Sequence, residues 1–436
     1  MAVNGFEILE HACLTDVGVR RSHNQDSFAI SLQTDEQHWR EHGHLLLVAD
    51  GMGAHAVGEL ASKLAADLIP LNYQKFAAQG APAAMRRAFA EANATIHLKG
   101  THNPDFEGMG TTSSALLIRP EGAWTAHIGD SRIYRVRAGN IEQLSYDHSL
   151  QWELARRQGV SPDQIEGVPS NVIVRSMGPE ASIQVDIEGP HPVLPGDTFL
   201  LCSDGLSGQV PDDEMGAIVS ALPLKEACQF LVDLANLRGG PDNITVLLVR
   251  FPGESPKSVS EIPALLPQPR GELNSVLFAK LPWPGIALGA GITLALTALL
   301  LILFKLVGPA VAVFLLAALA LILGLIGLHR AQQHEHMPQP EAEYGPPRVY
   351  RRSRCQIDAR LLAKLTEAEL TVQDYAKQND LQVDWAAHQK HQRAAKEALK
   401  LGDFQAAFRE QCRSLALLNQ AIRLRRGKEE RFNPMW

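Results

Sequence analysis

The sequence predicts an α+β chain: a mixed domain of antiparallel sheets covered by helices, then two apolar helices, then a small all-helical segment. Three observations carry this expectation. Short apolar runs at residues 114–118, 124–128 and 133–137 follow one another with only turns between. Strands linked so directly must be antiparallel, because a parallel pair needs a long crossover. Helix-period runs come in pairs between groups of strands, as expected of helices laid over sheets. Finally, residues 286–304 and 306–328 carry no charge, and each stretch matches the roughly 20 residues that span a bilayer.

In chain order, strands are expected at 13–18, 45–49, 114–118, 124–128, 133–137, 183–187, 198–202 and 244–251. Helices are expected at 58–71, 82–97, 150–158 and 225–237. Residues 1–252 form one domain on this reading. Seven prolines between Pro252 and Pro284 make 253–284 an extended linker. Residues 285–328 read as a transmembrane hairpin. One straight helix through both stretches would be about twice too long at roughly 1.5 Å per residue, and Gly308-Pro309 supplies a turn. Lys280, Arg330, Arg348, Arg351, Arg352 and Arg354 flank the hairpin, while its turn carries only Lys305. Both soluble parts are therefore expected on the cytoplasmic face of the cell membrane.

Residues 329–356 read as a second, polar and basic linker, its arginines suited to anionic lipid or to a topology signal. Residues 357–436 read as helical, with Phe404, Phe408, Leu415 and Leu418 on one stripe. Gly402-Asp403 joins a C-cap glycine to an N-cap aspartate. With Phe404 and Ala407 it resembles half of a tetratricopeptide-type helix hairpin. Only one such unit is visible where several are needed, so a small helical interaction bundle is expected.

Composition narrows the function. Of 436 residues, the net charge is −7. A nucleic-acid binder normally shows a basic excess, so none is expected as partner. Cys13, Cys202, Cys228, Cys355 and Cys412 lack CxxC spacing. They suggest neither a disulfide framework nor a zinc site and fit a reducing compartment. The first ten residues lack a basic stretch followed by an apolar core, so no signal peptide is expected.

Four aspartates share one context. Asp50 follows Leu-Leu-Leu-Val-Ala and precedes Gly51. Asp130 follows Ala-His-Ile-Gly. Asp204 follows Phe-Leu-Leu-Cys-Ser and precedes Gly205. Asp242 precedes the strand-like run from Ile244. An aspartate after a strand is ordinarily a turn; four of them, with strands running both ways, can converge on one sheet edge. Carboxylates gathered without balancing Lys or His select hard divalent ions, Mg²⁺ or Mn²⁺. Two such ions form a clamp for in-line attack on phosphorus. Arginine forks best onto phosphate oxygens, and Arg20 and Arg21 lie ahead of Asn24-Gln25-Asp26.

At these residues the sequence resembles a known family. Thr15 to Asp26, Val48 to His55, Gly110-Thr111-Thr112, Ile128 to Arg132, Leu201 to Leu206 and Asp242 to Thr245 are similar to the ordered motifs of bacterial metal-dependent protein serine/threonine phosphatases, the type 2C or PPM family. The resemblance covers roughly residues 8–252. It implies an αββα sandwich of two antiparallel sheets with metals at one edge. It implies that Asp50 bridges two ions, that the Gly51 carbonyl helps bind one, and that Asp204 and Asp242 hold the other. Asp130 binds a third ion together with Asp204 on this reading. Arg21 takes the phosphate, and Asp26 orients water. The implied reaction is hydrolysis of phosphoserine and phosphothreonine in proteins by metal-bound hydroxide, opposing a Ser/Thr kinase. Gln25 stands where some members carry an acid, Ala54 replaces a usual glycine, and Met52 stands where animal-type enzymes carry a general-acid histidine. The proton donor is left open, with His55 nearby. Residues 158–182, rich in Gly and Pro, read as a mobile stretch; the resemblance implies a substrate-contacting flap there, with a plain surface loop as the other reading. Asp147-His148 before Ser149 reads as a structural helix start.

Overall fold

The computed structural model describes residues 9–53, 57–169, 171–253 and 344–432, with isolated positions between 293 and 321. Sheet A has the order β1 (Glu10–Asp16), β11 (Ile244–Arg250), β10 (Thr198–Cys202), β7 (Arg132–Arg137), β8 (Asn140–Gln143), β12 (Arg351–Arg354). Sheet B has the order β2 (Asp26–Ser31), β3 (His44–Met52), β5 (Ser113–Arg119), β6 (Gly122–Ile128), β9 (Asp186–His191), with the short β4 (Gly110–Thr111) paired to β3. Every pairing is antiparallel.

Alternation along the strands sorts their side chains into layers. Leu46 and Val48 meet Phe199, Leu201, Leu247 and Val249 in the core between the sheets. Leu45, Leu47 and Ala49 face outward, onto α2 (Val57–Phe76) and α3 (Ala81–His102). Leu200, Cys202, Val246 and Leu248 face α6 (Asp212–Ala221) and α7 (Leu224–Leu237). Both faces of the central strands are thus covered, and such strands read as unbroken apolar runs rather than alternating ones. Each buried Val, Leu or Phe contributes roughly 1.5–3 kcal/mol, so these layers hold the strand ends that carry the aspartates in place. The αββα expectation is met.

The differences lie at the margins. β2 and β8 are short and half polar, and no periodicity announced them. β9 starts at Asp186 and runs through Gly189-Pro190 to His191, later than the expected 183–187. A proline without a donor is tolerated there because β9 is the last strand of sheet B. The smaller helices α1 (Glu36–His42), α4 (Leu150–Gln158) and α5 (Asp204–Ser207) lie in the connections.

Three further helices follow: α8 (Ala359–Gln378), α9 (Trp385–Lys400) and α10 (Phe404–Phe432). They were expected as a separate bundle. Instead Leu361, Leu365, Phe408, Cys412 and Leu415 share one buried core with Ile218, Phe230 and Leu231 of α6 and α7. Lys364 pairs with Glu214 at 3.1 Å, Arg413 with Glu226 at 3.0 Å, and Arg423 with Asp233. Tyr344–Trp436 accordingly belongs to one compact unit with Met1–Leu265, and Leu266–Glu343 forms another. The linker expected at 329–356 is corrected too, since it contains β12. Its basic cluster is engaged within the protein: Arg351 meets Asp163 at 2.7 Å and Arg352 meets Glu142 at 2.6 Å. The hairpin expected at 285–328 falls mostly outside the described residues. Among the described residues no helix is long and apolar enough to cross a membrane.

A shared core predicts shared stability. Leu415 is fully buried, so Leu415→Ala should cost about 2–5 kcal/mol in denaturant unfolding of the full chain. A chain cut after residue 252 should melt at a lower temperature and bind more of a hydrophobic dye. Equal melting of cut and full chains would show that the helices merely rest on the sheets.

Candidate metal centre

The aspartates lie where strands begin or end at one edge of the two sheets. Asp26 opens β2 and sits directly opposite Asp50 near the end of β3. Asp204 follows β10 through Ser203, and Asp242 precedes β11 through Asn243. These neighbouring strands run antiparallel, with Cys202 opposite Val246, so the end of one and the start of the next fall at the same edge. Asp130 sits in the turn between β6 and β7.

Two glycines allow the backbones to converge. A Cβ on Gly51 would lie 2.0 Å from the Gly58 carbonyl oxygen, and one on Gly205 would lie 2.0 Å from that of Asn243. Asp50 is fixed from its backbone: its N–H donates to Thr112 Oγ1 at 2.9 Å, and its carbonyl accepts from Thr112 N at 2.8 Å and Thr111 Oγ1 at 2.9 Å. Asp26 Oδ2 accepts from the Ser203 and Thr245 hydroxyls, each at 2.7 Å.

The electrostatics are those of crowded anions. Burial first, and then the neighbouring Asp26, Asp204, Asp130 and Asp242, hold the Asp50 carboxyl well above the usual carboxylate range. Burial pushes Asp26 up to about 7, against its two hydroxyl donors, with Asp204 and Asp242 adding to the rise. Burial and then Asp242 raise Asp204 to about 6, and burial with Asp204 and Asp147 raises Asp130. Asp26 Oδ1, Asp130 Oδ1 and Asp204 Oδ1 are buried without a hydrogen-bond partner. Buried polar atoms are ordinarily paired, so three open carboxylate oxygens at one edge fit a bound cation. Among the described residues no three His, Cys, Asp or Glu side chains gather closely enough to hold one ion by themselves. Magnesium-type ions are satisfied with one or two carboxylates plus backbone oxygen and water. The donor set fits them.

Arg21 stands at the rim. Its Nη2 donates to Asp242 Oδ2 at 2.7 Å, and half of its side chain is exposed. Arg20 donates its backbone N–H to the Gly240 carbonyl at 3.2 Å. Met52 pairs with Gly110 across β4; His55 lies outside the described residues.

Several residues escaped the sequence reading. Asn243 ties three loops together: its Nδ2 donates to the carbonyls of Val17 and His23, both at 2.9 Å, and its Oδ1 accepts from Gln25 N at 2.8 Å. The motif contained it, but nothing local marks an amide as a three-way clasp. His148 does more than start a helix. Its Nδ1 accepts from Gly129 N at 3.0 Å, next to Asp130, and its Nε2 donates to Asp186 at 3.0 Å. Cys202 is buried, and burial pushes its thiol up, as expected of core filler.

The raised carboxyls have a consequence for metal-free protein. A carboxyl with a folded pKa above its unfolded value near 4 binds more protons in the folded chain. Its contribution to stability therefore falls as pH rises from about 4 through about 7. With a chelator, Asp204→Asn should melt above wild type at pH 7.5, by less at pH 5. With Mn²⁺ at pH 7.5 the order should reverse. Thermal scans at the two pH values check this.

Comparison with known proteins agrees with the geometry. The family model described as "Protein phosphatase 2C" matches residues 19–236, half of the chain. A serine/threonine phosphatase stp of Listeria welshimeri is 36% identical over 241 residues, covering 54% of this chain and 93% of the relative. The solved serine/threonine phosphatase of S. agalactiae is 32% identical and covers 56% of this chain and all of its own, with a TM-score of 0.51. A catalytic domain of the phosphatase PstP, solved in complex with two manganese ions, is 30% identical over 56% of this chain and 99% of its own, with a TM-score of 0.46. Carboxylates on converging strand ends, an arginine at their rim, the family model and the Listeria relative agree: the chain belongs to the protein phosphatase 2C family of protein serine/threonine phosphatases.

Proposed function

We propose that this protein hydrolyses phosphoserine and phosphothreonine in phosphorylated proteins by direct attack of water, with two divalent ions, Mn²⁺ or Mg²⁺, held by Asp50, Gly51, Asp204 and Asp242. The observation that carries the reading is the set of buried, unpartnered carboxylate oxygens of Asp26, Asp130 and Asp204 beside Arg21. Bound divalent ions supply charge neutralisation and lower the pKa of water. The protein's own groups do the rest. Asp50, whose neighbours are Asp26, Asp204, Asp130 and Asp242, would hold both ions, and Asp130 with Asp204 would hold a third. Arg21 binds the phosphate oxygens through its fork and fixes the phosphorus for in-line attack. Asp26 keeps Oδ1 open because Oδ2 is taken by Ser203 and Thr245, and that oxygen can hold the proton of the attacking water. The candidate nucleophiles beside Asp204 do not compete. The Cys202 thiol is buried and protonated, and the Ser203 hydroxyl is committed to Asp26.

A catalytically weak phosphoprotein binder is the alternative. All four metal aspartates are present, and Asp50, Asp130 and Asp204 are held in the raised-pKa state that a cation relieves, which favours an enzyme. A scaffold with an incidental phosphatase is disfavoured by the core that the C-terminal helices share with α6 and α7.

Membrane attachment belongs to this proposal as well. The uncharged residues 286–304 and 306–328 are long enough in sequence to span a bilayer. They would hold the enzyme at the cytoplasmic membrane face, opposing a Ser/Thr kinase there.

Full-length protein with Mn²⁺ and a phosphothreonine peptide tests the chemistry. Asp50→Asn and Asp204→Asn should each lower kcat/KM at least about 100-fold. Arg21→Ala should raise KM by roughly 10- to 100-fold, the size of a lost charge-assisted hydrogen bond. Wild-type rates in Asp204→Asn would sink the mechanism. Deleting residues 285–328 should move the protein from the membrane fraction to the supernatant on cell fractionation.

A further inference from the structure

The segment from Tyr344 to Cys355 lies more than 100 residues beyond the family match, which ends at 236, yet the catalytic sheets are built to receive it. Gly345 bridges to Glu188 on β9, with Gly345 N on the Ile187 carbonyl at 2.8 Å. Six residues on, β12 begins to pair with β8. One strap thus covers the outer edge of each sheet. The Tyr350 hydroxyl donates to the buried Glu188 carboxylate, and its ring meets Tyr146 edge-on at 5.5 Å. On α6, a Cβ at Gly216 would lie 2.1 Å from Cys355 Sγ. A glycine inside a helix costs roughly 0.5–1 kcal/mol against alanine. Here it makes room for the strap.

Where the strap leads is the flap. Met177 exchanges backbone hydrogen bonds with Thr111, whose hydroxyl in turn holds the Asp50 carbonyl. Val174 N donates to the His148 carbonyl, and Arg175 pairs with Asp186 at 3.1 Å. These anchors tie the far end of the flap to the metal edge. The near end, the turn Pro162–Gln164, is tied by Arg351 Nη2 on Asp163 Oδ2 at 2.7 Å. Val160, just before the near tie, and Val172 and Val174, toward the far one, are each at least 39% exposed. Exposed apolar side chains on a segment tied to the metal edge would meet the residues flanking a phosphorylated side chain, which a small aryl phosphate lacks.

We infer that Tyr350 and Arg351 are positioning residues for protein substrates: Tyr350 seats the strap on Glu188 and Arg351 holds the flap, with its exposed valines, through Asp163, so the C-terminal half sets the affinity for phosphoproteins while leaving the chemistry unchanged. The inference rests on the phosphatase reading above. Neither residue touches the substrate.

The test uses the full chain with Mn²⁺, comparing a phosphothreonine peptide with p-nitrophenyl phosphate. Arg351→Ala should raise the peptide KM roughly two- to fivefold, as expected of one exposed ion pair. Gly216→Val, which displaces the strap from a distance, should raise it further. Turnover of p-nitrophenyl phosphate should stay within about twofold of wild type in both. Exchanging the charges in Arg351→Asp with Asp163→Arg should restore the KM. Trypsin should cut the variants faster after Arg156, Arg157 or Arg175, a readout that needs no activity. Unchanged peptide KM or unchanged cleavage in both variants overturns the inference, as does a parallel loss on both substrates. An inactive wild type would instead count against the phosphatase reading, and the cleavage rates would still decide whether the strap holds the flap.

Discussion

Five carboxylates converge where two sheets meet, and most of the local architecture answers the cost of putting them there. Asp26 and Asp50 face each other across one strand pair, and Asp204 and Asp242 border the adjoining sheet. Like charges in a partly dry site repel, and their protons are held more tightly as a result. The protein supplies only partial relief: two hydroxyls on one oxygen of Asp26, and one arginine and the Asn243 N–H on Asp242. Asp26 Oδ1, Asp130 Oδ1 and Asp204 Oδ1 stay open, and a divalent cation fits such a site. The same unrelieved charge that destabilises the metal-free chain is what recruits the ion.

Holding that arrangement takes rigidity on every side. The apolar strand interiors supply it from within, because each central strand is packed on both faces. At the edge itself, hydrogen bonds replace hydrophobic packing. Thr111 and Thr112 grip the Asp50 backbone, and Asn243 joins three loops. Glycines at 51 and 205 let backbones approach closer than any side chain would permit. His148 connects the Asp130 turn to Asp186 and, through Arg175, to the flap.

The C-terminal helices change how the catalytic half is understood. They thicken the helical layer over sheet A, share its core, and send a strand back to its open edge. An edge strand with unpaired backbone groups is a liability; here the chain's own strap covers it. The ion pairs across this contact are individually weak where they are exposed. The shared apolar core, by contrast, makes the contact a stable one.

The sequence by itself determined the central strands and the positions of the aspartates that cluster at their ends. Both signals are local: an apolar run such as 45–49, then a carboxylate and a glycine, needs no distant partner to be recognised. The family motifs added the order and the choice of Arg21. What only the tertiary structure decided is which distant segments complete the edges. β8 is four half-polar residues, and β12 is Arg-Arg-Ser-Arg, which read as a charged linker. Neither carries a period of its own, since each becomes a strand only against the other, about 210 residues away in sequence. The same holds for Asn243, His148 and Gly216. Their roles are set by what three or more remote segments place around them, and no pattern along the chain encodes that.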